Sequence, residues 1–188
     1  MTSLHSQTQK SVEAATRQWI HNVVLGLNLC PFAHAVVKSE GLDVVVVLSP
    51  DTETVLHNVV EQAEQMLRSN HETTVIVALA HGFDAFADYL DVLDLAQALF
   101  DELELTGKVQ IASFHPHYQF SDSDYDDKAN YTNRSPYPLL HLLQESAVSK
   151  AVDQHPDAAA IPDRNVKLLR TMKQEELDIL CRLEGNVQ

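Results

Sequence analysis

The sequence predicts an α/β protein: a single-domain sandwich with a small, mostly parallel sheet and flanking helices. Two observations carry the prediction. The β-branched runs Val44–Leu48 and Thr74–Leu79 are continuous, as in strands covered on both faces. Apolar residues at helical spacing separate the strands, the pattern of βαβ units and parallel pairing. A ferredoxin-like α+β arrangement fits the same element order and stands as the alternative. A chain of 188 residues is long enough to bury one core. No repeat, low-complexity tract or boundary divides it, so residues 1–188 read as a single domain.

Each element follows from local pattern. Val12, Ala15, Trp19, Val23 and Leu27 recur at helical spacing and predict a first helix over about Ser11–Leu29, ended by Pro31. Ser49-Pro50-Asp51 turns the chain after the first strand, and Val55, Val59, Ala63 and Leu67 mark a second helix. Gly82 closes the connection after the second strand, and Phe86 to Leu103 predicts a third helix. Gly107 sits where a left-handed cap is needed. A third strand, Val109–Ser113, runs into a long polar loop over 115–137. Ser135 as N-cap and Pro136 as first residue then predict a helix to about Val152. Residues 153–188 read as a C-terminal helical extension: a proline-containing connection and a last helix near Lys173–Leu183.

Composition narrows the function. The formal charge is −14 and no basic stripe exists, which argues against a nucleic-acid or anionic-membrane partner. The five isolated glycines exclude a Walker A loop and a GxGxxG turn. Two cysteines, Cys30 and Cys181, form neither a disulfide framework nor a CxxC pair. No apolar run approaches membrane-spanning length, and the N-terminus lacks the pattern of a signal peptide, so the expected location is cytoplasmic. The sequence names no cofactor and no oligomeric state.

The loop 115–137 is too long for an ordinary connection and is rich in the groups that sites use. In parallel α/β sheets ligands bind beyond the carboxyl ends of strands, where this loop begins. His115 is the candidate acid/base, because imidazole titrates near neutrality. Arg134, with Asn133 and the helix start at Ser135, forms a candidate clamp for a carboxylate or phosphate. Pairing of Arg134 with a nearby aspartate is the structural alternative. His141 and Glu145, one helical turn apart, can meet so that the carboxylate orients the imidazole. Asp122, Asp124, Asp126 and Asp127 resemble a calcium loop, but Asp127 and Asn133 stand where an EF-hand needs glycine and glutamate, so the run reads as a solvated charge cluster. Cys30 ends the first helix, whose negative end raises a thiol pKa, so it reads first as a wall residue and only then as nucleophile or metal ligand. Cys181 reads as packing.

LGLNLCPFA (25–33), QIASFHPHYQF (110–120) and NYTNRSPYPLLHLL (130–143) together resemble the bacterial proteins grouped as domain of unknown function 1415. The resemblance runs from Trp19 to about Leu169. It implies no activity, but it implies that the three segments meet at one site. It carries over to Asn28, Cys30, Pro31, Phe32, His115, Pro116, Tyr118, Phe120, Asn133, Arg134, Ser135 and His141. Two positions depart from it. His117 stands where an acidic residue is expected, which speaks against a paired-histidine metal site. Gln144 stands where an arginine is expected, which removes a second guanidinium.

The leading expectation is a small cytoplasmic enzyme, a hydrolase or group transferase, acting on a small polar or anionic substrate. Its site is built from 28–32, 115–120 and 130–145. His115, His141, Glu145 and Cys30 are the candidate catalytic residues; Asn28, Tyr118, Asn133, Arg134 and Ser135 are the candidate binding residues. One alternative is a non-catalytic module binding a protein or ligand through the aromatic-rich loop. Another is a metal-binding protein, which requires Cys30, His115 and His141 to converge.

Overall fold

The computed structural model describes residues 2–69 and 73–181. It is a sandwich of three layers, with a four-stranded mixed sheet between two helical layers. The strands are β1 (Leu42–Val47), β2 (Thr74–Leu79), β3 (Val109–Phe114) and β4 (Leu139–Gln144), in the order β1-β2-β4-β3. β1 and β2 pair in parallel, whereas β4 runs antiparallel to both β2 and β3. The mixed α/β content agrees with the sequence, but the sheet is not mostly parallel, since β1–β2 is its one parallel pair among the described residues.

The cause lies in residues 136–152, which do not form one helix. Leu139–Gln144 is a strand, and the helix α5 (Glu145–Gln154) begins only after it. Leu139, Leu140 and Leu142 are fully buried between β2 and β3, where a polar-faced helix could not sit. Ser135 therefore caps no helix; its hydroxyl donates to the Tyr137 carbonyl at 2.6 Å.

Alternation along the strands divides the core in two. Val75, Val77, Leu79, Leu140 and Leu142 face α3 (Thr52–Arg68) and α4 (Phe86–Glu102). Ile76, Ala78 and Leu139 face α1 (Thr2–Trp19) and the C-terminal helices α6 (Ile161–Thr171) and α7 (Gln174–Cys181). α3 starts as its sequence dictates: the Asp51 carboxylate accepts the Thr54 N–H at 2.8 Å. The first helix begins earlier than expected, and from Ile20 to Leu25 it widens into a π-helix before the chain turns at Gly26. A short helix α2 (Ala33–Lys38) follows Cys30 and Pro31. Gly82 holds φ +94°, and a Cβ there would lie 2.5 Å from that of Pro50, so only glycine lets these two connections cross. The end of the expected helix at Leu183 lies outside the described residues, as does the side chain of Cys181.

Because β1, β2 and β3 point one way and β4 the other, residues 115–138 form one long connection above a single sheet end. The loop packs on itself. Asn130 is fully buried: its carboxamide oxygen accepts the Phe120 N–H at 3.0 Å and the Ser123 hydroxyl at 2.7 Å. Its NH2 donates to the Asp124 and Tyr125 carbonyls. The loop therefore has a core of its own, and a short 3-10 turn, Lys128–Thr132, closes it.

Candidate functional site

The histidine expected to act as acid/base is locked into the fold. His115 is 0% exposed, and its Nδ1 accepts the His117 N–H at 2.9 Å. That fixes the neutral tautomer with the proton on Nε2, which donates to the Phe83 carbonyl at 2.9 Å. Phe86 and Tyr89 pack against the ring, each with centroids 5.2 Å away. Burial pushes its pKa down, against the pull of the Phe83 carbonyl. Both nitrogens serve the backbone in this arrangement.

His141 lies on β4, on the sheet face turned to α1. The Thr74 hydroxyl donates to the Leu142 carbonyl at 2.8 Å, leaving its oxygen to accept from Nε2 of His141 at 2.6 Å. Burial holds this imidazole down to about 4. Glu145 begins α5, so the pair spans a strand-to-helix junction and the one-turn spacing that would bring the side chains together is lost.

Arg134 is 8% exposed and pairs with no aspartate among the described residues. Its guanidinium donates to the carbonyls of Tyr118 (3.3 Å) and Tyr125 (2.7 Å), and lies between the rings of Tyr125 and Tyr131 at 4.8 and 4.6 Å. It pins the loop through carbonyl oxygens and ring faces. Its backbone contributes too, since the Arg134 carbonyl accepts the Trp19 indole N–H at 3.1 Å.

The three sequence segments nevertheless converge, on a different set of atoms. A cleft of about 600 Å³ opens between the turn at 29–30, the loop and α6. Val24, Leu29, Phe114 and Phe120 give it an apolar lining; Cys30, Asn133 and Asp122 bring polar groups. Asn133 is held in place by its own amide, which donates to the Ser113 carbonyl at 3.0 Å. The opposite wall is α6, through Pro162, Asn165, Val166 and Arg170. Asn165 donates to the Leu29 carbonyl at 2.7 Å, and Arg164 donates to the carbonyl of Asn28, so α6 is fastened to the turn that carries Cys30. Asn28 itself adopts φ +51°, a left-handed conformation that asparagine tolerates. At the rim, Arg170 grips Asp127 with two bonds of 3.1 and 2.6 Å. The guanidinium and the Ala129 N–H hold the Asp127 carboxyl down at about 2.

Cys30 does not end the first helix, which stops at Leu25; it lies beyond the following turn and just before α2. The N–H groups of Ala33 and Phe32 stabilise its thiolate, but burial outweighs them and the pKa is raised. The thiol therefore rises for a reason other than a helix C-terminus. Cys30, His115 and His141 do not form a metal site: among the described residues, no group of three or more His, Cys, Asp or Glu side chains is placed to hold an ion. The α6 wall and Asn130 carried no motif that sequence reasoning could use. Their one signal was an amide in each case, buried in a segment read as surface or loop.

The fold and the cleft define a three-layer α/β/α protein whose long β3–β4 connection and α6 enclose a largely apolar pocket. Among the described residues, no helix is long and apolar enough to cross a membrane. The chain belongs to the family described as protein of unknown function (DUF1415), whose model matches residues 11–178. No curated protein and no solved structure matches it.

Proposed function

We propose that this protein binds a small molecule with an apolar body and a polar end in the cleft between Cys30, the 115–138 loop and α6. The observation that carries the proposal is convergence: segments near 29–30, 114–120 and 132–133 share one cleft with α6. Its size and lining suit a small ligand, with hydrophobic walls and few polar groups to fix orientation. Loop aromatics as anchors for a protein partner have less support. Tyr131 is buried and Tyr118, Phe120 and Tyr137 are partly so; among these rings only Tyr125, at 48%, is exposed.

Catalysis by His115 would require a proton path to a ring whose nitrogens are both bonded to backbone. A role for Cys30 as nucleophile draws support from the two N–H groups at its sulfur, although the raised pKa leaves it a thiol near neutrality. Ligand binding therefore comes first, with Cys30 as a wall residue. Replacing Val166 by tryptophan fills the cleft from α6 at a partly exposed position without entering the buried core. In a thermal-shift screen of small aromatic and aliphatic fragments, the wild type gives hits that Val166→Trp loses while its own melting temperature stays near that of the wild type. Hits that persist unchanged in the variant would refute the proposal.

A further inference from the structure

The charges around the cleft indicate which ligand it takes. Of the residues that line it, Arg170 and Asp122 are charged. The Arg170 guanidinium is neutralised by a bidentate partner, Asp127. Asp122 is exposed at the rim and has no ion-pair partner among the described residues. Arg164 also stands beside the cleft, bonded to the Asn28 carbonyl and the Asn165 carboxamide oxygen, but it is not a lining residue. Among the described lining residues Asp122 is the charged group without an ion-pair partner, in a chain whose formal charge is −14. Arg134, the cation expected to receive an anionic substrate, is bonded to loop carbonyls and is not among the residues that line the cleft.

Resting on the cleft as the binding site, we infer that its ligand is a small amine, cationic at neutral pH, whose apolar or aromatic body lies against Phe114, Phe120 and Leu29 while its ammonium faces Asp122. Body and charge make separate contributions. The apolar lining sets whether a molecule enters, and Asp122 ranks molecules of one body by the charge of their end.

Three probes with a common phenyl body separate these contributions: 2-phenylethylamine, 2-phenylethanol and 3-phenylpropanoate. Each is titrated into 15N-labelled protein at low ionic strength, following the amides of residues 29–30, 114–120 and 161–170. The amine binds about two- to fivefold more tightly than the alcohol, the range for an exposed charge pair, and the carboxylate binds most weakly. Asp122→Asn, a change at an exposed loop position, brings amine and alcohol together, and added salt narrows the gap in the wild type. Cleft shifts with equal affinities, or with the carboxylate tightest, overturn the amine assignment and leave the cleft reading standing. Absence of cleft shifts with all three probes overturns both.

Discussion

His115 is the residue whose part the structure changes most. Its position beside a proline in a loop invites an acid/base role, yet its two nitrogens join the 82–83 connection to the 115–117 turn. Truncation would leave the Phe83 carbonyl and the His117 N–H without side-chain partners in a buried, aromatic pocket and open a cavity among Phe86 and Tyr89. His115→Ala should therefore lower unfolding free energy by about 2–4 kcal/mol, measured by urea denaturation. Stability within about 0.5 kcal/mol of wild type would show that the ring is not a structural latch. The residue stands out in the sequence but the latch does not, because the Phe83 carbonyl reaches the ring only once β2, β3 and α4 are packed, while the His117 N–H is a local partner. Arg134 is a similar case. The carboxylates nearest to it in sequence are the aspartates of 122–127, whereas its partners in space are two carbonyls and two tyrosine rings.

At the scale of elements, the strands rich in β-branched residues and the helices α3 and α4 were legible from local pattern, and β4 was not. Leu139-Leu140-His141-Leu142-Leu143 has no β-branched residue, and Ser135-Pro136 before it looks like a helix start. Non-local pairing decides the outcome: between β2 and β3, the segment satisfies its backbone on both edges and buries leucines on both faces. Leu140 is 0% exposed against the α3/α4 layer, so Leu140→Ala should cost about 2–5 kcal/mol. Calorimetry of the variant checks this, and a melting temperature equal to that of the wild type would contradict the central placement of β4. α6 falls in the stretch between the expected proline-containing connection and the expected last helix, and neither the helix nor its place as a wall of the cleft was legible, because Asn165 and Arg164 act on carbonyls well over a hundred residues away in sequence.

Across the whole molecule, two imidazoles are kept neutral by burial, and this sets the pH dependence of folding. The ordinary histidine value is 6.5; burial lowers His115, and lowers His141 to about 4. Between those limits the unfolded chain binds protons that the folded chain refuses, so stability rises with pH through the window. The histidine contribution is complete above about pH 6.5 and is lost as pH falls toward 4. Denaturation midpoints measured across that range should decline on acidification, and His141→Leu should flatten the decline. A wild-type profile flat from pH 7 to 4.5 would contradict the buried neutral state.

The cleft between Cys30, the long loop and α6 is proposed as the place where this protein meets its ligand. The most direct measurement is the position of bound fragments in crystals of the wild type and of Val166→Trp. Fragment density is expected between Phe114, Phe120 and Val166 in the wild type, and none there in the variant. Fragments that bind elsewhere on the surface and leave this cleft empty in the wild type would contradict it.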